Sequence, residues 1–93
     1  MIRSFSIKDT QRIWQEQRVR RVDPQVQRAA LRKLEMLHAA VRLDDLRIPP
    51  GNRLERLRGD REGQHSIRVN DQWRICFVWH EGGAENVELV DYH

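Results

Sequence analysis

Ser66-Ile67-Arg68-Val69-Asn70-Asp71-Gln72-Trp73-Arg74-Ile75-Cys76-Phe77-Val78-Trp79 reads as two strands around a polar turn. Ile67 and Val69 alternate with Ser66 and Arg68; Trp73, Ile75, Phe77 and Trp79 alternate with Arg74, Cys76 and Val78. A period of two sends one set of side chains to a core and the other to the opposite face of a sheet. If the two apolar sets share a face, the Asn70-Asp71-Gln72 loop pairs Val69 with Trp73 and Ile67 with Ile75. Arg68 then stands directly opposite Arg74. A slip of one residue would turn apolar groups onto the polar face, so the register is strongly specified.

The remaining elements follow outward from this hairpin. Gly82-Gly83 reads as the next turn and residues 86–92 as the last strand. A one-residue uncertainty at that turn still brings Asp91-Tyr92-His93 abreast of Trp73 and Arg74. Upstream, residues 64–69 and 53–58 read as strands around the glycine-bounded loop Gly59-Asp60-Arg61-Glu62-Gly63. Pro49-Pro50-Gly51-Asn52 ends all helical structure before them.

Asp23-Pro24 is a helix start, an N-cap acid followed by Pro at the first helical position. Val26, Ala30, Leu34, Leu37 and Val41 then form one apolar face, and Leu43-Asp44-Asp45-Leu46 continues as a short turn or helix. A capping-box-like Ser6-Ile7-Lys8-Asp9 opens an earlier helix that reaches about Gln17, with Ile13 and Trp14 as its apolar face. Residues 2–6 read as a first strand. The order is strand, two helices and a four-stranded antiparallel meander, an α+β fold with the helices on one face of the sheet.

At 93 residues the chain is expected to form one domain, 1–93, with a single core layer. Formal net charge is only +3, but 15 of the 17 basic residues are Arg, leaving Lys8 and Lys33 as the lysines. Guanidinium binds phosphate in two-point contacts and stacks on bases, which ammonium does not. Codon usage in a GC-rich genome accounts for the Arg excess equally well, but not for where the arginines lie. Cys76 is alone and the four His show no ligand spacing, so neither a disulfide framework nor a metal set is expected. With no apolar run near ~18 residues and no signal-peptide pattern in Met1-Ile2-Arg3-Ser4-Phe5, the expectation is a cytoplasmic protein without a membrane partner.

Like charges opposite each other on a sheet are destabilising, so the Arg68–Arg74 pair points to a bound anion, or else to neutralisation by Asp71, Asp91 or solvent. The tail adds an acid, a phenol and an imidazole beside these guanidiniums. Cutting RNA without a metal needs the 2′-hydroxyl to lose a proton, the leaving 5′-oxygen to gain one, and the phosphorane charge to be stabilised. Arg residues suit the last task. His93 titrates near neutrality and suits proton transfer, Tyr92 stacks or donates a proton, and Asp91 suits orienting His93 or an Arg. The connector Arg18-Val19-Arg20-Arg21 is either a solvated loop or a contact for RNA or a partner. No glycine-rich nucleotide loop and no acidic cluster for Mg²⁺ is present, and no cofactor is expected.

Leu54-Glu55-Arg56-Leu57-Arg58-Gly59-Asp60-Arg61-Glu62-Gly63, the stretch 66–75 and Val90-Asp91-Tyr92-His93 together resemble the HigB toxin family. That family belongs to the RelE/ParE superfamily of toxin–antitoxin systems. The opening Met1-Ile2-Arg3-Ser4-Phe5 and the Ile48-Pro49-Pro50-Gly51-Asn52 break are similar too, so the likeness covers nearly the whole chain. It implies a RelE-like fold and a cytoplasmic endoribonuclease that cuts mRNA in the A site of translating ribosomes. It also implies a HigA-like helix-turn-helix antitoxin, through which alone the toxin reaches operator DNA. The family's catalytic positions fall on Arg58, Arg74, Asp91, Tyr92 and His93. Arg68 joins them by register, and Arg56, Arg61, Arg20 and Arg21 are candidate RNA contacts. Arg58 replaces the Lys of some members, which keeps the charge but removes a proton donor. Two alternatives stand beside this reading: a ParE-like gyrase inhibitor of the same fold, and an RNA- or antitoxin-binding module without turnover.

Overall fold

Two helices cover one face of a four-stranded antiparallel sheet. In the computed structural model, which describes residues 1–92, the elements are α1 (Lys8–Trp14), α2 (Pro24–Ala39), β1 (Glu55–Arg56), β2 (His65–Arg68), β3 (Trp73–His80) and β4 (Gly83–Asp91). The strands lie in the order β1-β2-β3-β4, the meander expected from the sequence. Residues 2–6 add no strand of their own; Ile2 and Phe5 make single parallel bridges to Ala84 and Val87 along β4.

Helix α2 starts as its sequence dictates. The Asp23 carboxylate accepts the Gln25 N–H at 2.8 Å, and Ala30, Leu34 and Leu37 are fully buried. The expected apolar face is one residue too long, however. Ala40 leaves the helix with an extended ψ of 130°, so Val41 lies beyond the end and is 74% exposed. Helix α1 also differs from expectation. Ile7 occupies its N-cap without a side-chain bond, while Ser6 Oγ donates to Glu88 instead. It stops at Trp14 rather than near Gln17, because Glu16 has turned to a φ of 61°.

Between α2 and β2 the chain is less regular than expected. Short 3-10 turns occupy Leu43–Arg47, Pro50–Asn52 and Gly59–Arg61, so helical turns persist beyond Asn52. The expected 53–58 strand shrinks to Glu55–Arg56, since Arg53 sits in the left-handed region at φ 45°.

The central register is the one the alternation demands: Ile67 pairs with Ile75 and Arg68 with Arg74. Ile67, Ile75 and Phe77 are fully buried against Ala30, Leu34 and Leu37. Burying each large apolar side chain contributes about 1.5–3 kcal/mol. The β3–β4 turn is Glu81-Gly82 rather than Gly82-Gly83, because His80 pairs with Gly83. Both turn residues have positive φ, 47° and 78°, as a two-residue hairpin turn matching the strand twist requires. One β-bulge follows. Asn86, at φ 53°, inserts a residue between the Val78–Glu85 and Cys76–Glu88 pairs, which lets Ala84 and Val87 both face the core. After the bulge Trp73 pairs with Asp91, fixing where the tail ends up.

Candidate active site

Arg74 is the best-anchored guanidinium on the sheet and is only 9% exposed. Its Nε donates to Ser66 Oγ at 2.8 Å, and its Nη2 donates to the carbonyls of Arg53 at 2.7 Å and Ser66 at 3.4 Å. Glu55 adds an ion pair at 3.6 Å. Each partner has a structural cause. Ser66 lies on the same face of β2, and the left-handed turn at Arg53 presents its carbonyl to the sheet. Nη1 has no acceptor among the described residues, leaving a donor for a ligand. A buried charge held by hydrogen bonds in this way is preorganised and needs little rearrangement when an anion arrives.

The Tyr92 ring lies over Arg74, with the guanidinium carbon 6.0 Å from its centroid. Its backbone N–H donates to Gln72 O at 2.7 Å, which ties the end of β4 to the β2–β3 turn. Arg53, Glu55, Arg68, Asn70, Asp71, Arg74 and Tyr92 line one cleft of about 320 Å³. Of the two neutralising acids, Asp71 pairs with Arg68, as one expected alternative held. Glu55, on Arg74, was not foreseen. The Asp71 side chain is fully exposed and Glu55 is more than half exposed, so both are free to yield to a stronger anion.

The other expected residues do not all meet here. Residues paired directly across two strands share a face, so Asp91 lies on the face of Trp73, opposite that of Arg74, and accepts from Gln72 Nε2 at 3.0 Å. Arg56 and Arg58 line a separate cleft with Leu57 and Glu62. Arg61 pairs with Glu88 at 3.3 Å on the Arg74 face, but outside the cleft. Arg20 and Arg21 line a third cleft on the helix side; Arg21 bonds Asp9 at 2.6 Å and lies 5.6 Å over the Trp73 ring. His93 lies outside the described residues.

Three residues of the cleft escaped sequence reasoning: Arg53, Glu55 and Asn70. Asn70 carried a signal, since an Asn opening a tight turn commonly caps the N–H groups that follow it. Its Oδ1 accepts from Gln72 N and Trp73 N, both at 2.8 Å. Between the two ion pairs of this face lies Cys76, whose buried thiol is pushed upward in pKa by desolvation, with Arg61 pulling the other way. Among the described residues no group of three or more His, Cys, Asp or Glu could hold a metal ion, and no helix is long and apolar enough to cross a membrane.

Two helices on one face of a four-stranded antiparallel meander define a fold shared with a solved structure. The YoeB-YefM complex from Staphylococcus aureus matches with a TM-score of 0.61 at 12% identity, covering 100% of this chain and 98% of that one. The chain belongs to the RelE-like toxins of the type II toxin–antitoxin system HigB, whose family pattern matches residues 3–93. It is 49% identical over 74 residues to Toxin HigB-1 of Vibrio cholerae serotype O1, covering 80% of this chain and 78% of that one. It is 46% identical over 41 residues to Endoribonuclease HigB of Proteus vulgaris, covering 44% of this chain and 45% of that one.

Proposed function

We propose that this toxin is an endoribonuclease that cuts messenger RNA in the A site of translating ribosomes and is silenced by a HigA-like helix-turn-helix antitoxin. The observation that carries the reading is the Arg74–Tyr92 pair over a cleft also lined by Arg68. Two guanidiniums cradle the scissile phosphate, and a phenol stacks on the neighbouring base. In the reaction the 2′-oxygen forms a bond to phosphorus as the P–O5′ bond breaks, giving a 2′,3′-cyclic phosphate and a 5′-hydroxyl. The proton lost by the 2′-hydroxyl goes to a base, and O5′ receives one from an acid. His93 and Tyr92 are the residues assigned to these transfers, with His93 the one whose ordinary pKa suits either role. Arg74 and Arg68 stabilise the phosphorane; Asp91, on the other face, orients the tail rather than touching the phosphate. Arg58 contributes field and strand contact from its neighbouring cleft.

Arg74→Ala is expected to lower cleavage by about 10²–10³-fold, the usual cost of losing one preorganised transition-state donor. Induced in a growing host, it is expected to restore growth while still binding the antitoxin. Mapping 5′ ends after induction of the unaltered toxin is expected to show codon-phased cuts in translated messages only. Equal cutting of purified, ribosome-free RNA would remove the ribosome from the proposal. Wild-type toxicity in Arg74→Ala would remove the site.

A further inference from the structure

A second basic cleft adjoins the first. It measures about 550 Å³ and is lined by Asp23, Gln25, Val26, Arg28, Arg32 and Asn70. Asn70 belongs to both clefts. With its Oδ1 spent on the turn, its Nδ2 has no acceptor among the described residues, so a fixed donor marks the divide. Arg28 and Arg32 stand at i and i+4 on α2, where like charges destabilise a helix. Most arginines elsewhere have an acid close by, as Arg3, Arg12, Arg21, Arg47, Arg61, Arg68 and Arg74 do. Arg28 and Arg32 have no acidic partner within ion-pairing distance among the described residues. The one carboxylate in the cleft, Asp23, is engaged as the α2 cap. Lys33, whose ammonium donates to Asn52 Oδ1, feels the same arginines: burial, then Arg32, then Arg68 lower its pKa.

We infer that Arg28 and Arg32 form a second phosphate subsite, holding the backbone of the same RNA strand whose scissile phosphate lies at Arg68 and Arg74, with Asn70 between them. The inference rests on the RNA-cleaving reading above. It assigns α2 a function besides its core face: the helix turns Ala30, Leu34 and Leu37 inward and offers an unneutralised pair of guanidiniums along the strand's path. Such a groove tracks backbone rather than base sequence. The subsite therefore sets how much flanking strand the toxin grips, not which codon it prefers.

The test measures binding of uncleavable 2′-O-methyl RNA at low ionic strength, using a dinucleotide, whose single internucleotide phosphate occupies one cleft, and an octanucleotide, which is long enough to reach both. Arg28→Ala/Arg32→Ala is expected to weaken the octanucleotide about tenfold and leave the dinucleotide unchanged. Its salt dependence for the octanucleotide should become shallower by about 1.4 in log–log slope, the value for two single-strand phosphate contacts. Arg28→Lys/Arg32→Lys should recover most of the loss. Lys8→Ala/Arg47→Ala, which removes the same charge elsewhere, should reproduce none of it. Equal weakening of both RNAs, no weakening, or the same loss in the Lys8/Arg47 control overturns the subsite while leaving the first cleft intact. Wild-type protein binding neither RNA overturns the RNA reading itself, a result distinguishable from loss of the subsite alone.

Discussion

The two faces of the β3–β4 pair are built from the same alternation and serve opposite ends. On the helix side Ile75 stands opposite Leu89, and both are essentially excluded from solvent. One residue along, on the other side, Cys76 stands opposite Glu88, which Arg61 pairs at 3.3 Å. The first face stabilises by removing apolar area from water, an effect that tolerates no loss of volume. On the second face, charges partly open to solvent are held in place at little net stabilisation. A sheet this small thus separates the part that must stay dry from the part that carries charge to the surface.

Substitution at these neighbouring positions should expose the difference. Ile75→Ala is expected to lower unfolding free energy by about 2–5 kcal/mol, as for other buried aliphatic truncations. Glu88→Gln, with its pair about 30% exposed, is expected to change it by less than about 1 kcal/mol. Urea denaturation of both variants gives the comparison directly. Similar losses would mean that the Arg61–Glu88 face contributes to stability as a core does.

That division was legible wherever a repeating pattern met a geometric constraint. The 66–79 alternation specified the Arg68–Arg74 pair because any other register exposes Ile67 and Ile75. Asp23-Pro24 likewise specified the start of α2. Where a single residue's backbone decided the outcome, the sequence was silent. Asn86 gives no period to read, yet its bulge settles that Asp91 pairs with Trp73 and that Tyr92 comes to rest on Arg74. The same limit hid Glu55 and Arg53: contacts with Arg74 made from the two-residue strand β1 and the left-handed turn before it, 19 and 21 residues upstream, follow no local rule. Asp91 was misplaced relative to Arg74 for a plainer reason, since adjacent residues on a strand face opposite ways.

A smaller effect sharpens the picture of the polar face. Asp71 is wholly exposed and pairs with Arg68 on the rim of the cleft. Under the proposed RNA-cleaving function its carboxylate competes with an incoming phosphate, and so exposed a pair offers the fold little in return. Asp71→Asn is expected to raise affinity for short RNA by about two- to fivefold at low ionic strength, with the gain fading as salt screens the pair. Titrations at two salt concentrations check this; a gain that persists unchanged at high salt would assign Asp71 a role other than competing charge.

The smallest expected effect returns to the core side, at the imidazole that faces it. His65 stacks on Phe77 at 6.2 Å between centroids, and its Nδ1 is buried without a hydrogen-bond partner among the described residues. Burial, then Arg56, then Arg47, hold its pKa below the ordinary 6.5, so the folded protein favours the neutral ring. Between the folded pKa and 6.5 the unfolded chain binds more protons than the folded one, so stability rises with pH across that window. It is fully present above 6.5 and declines as pH falls toward the folded value. His65→Gln should flatten this part of a plot of urea midpoint against pH. An unchanged slope in His65→Gln would place the titrating group elsewhere and make the ring against Phe77 a simple packing contact.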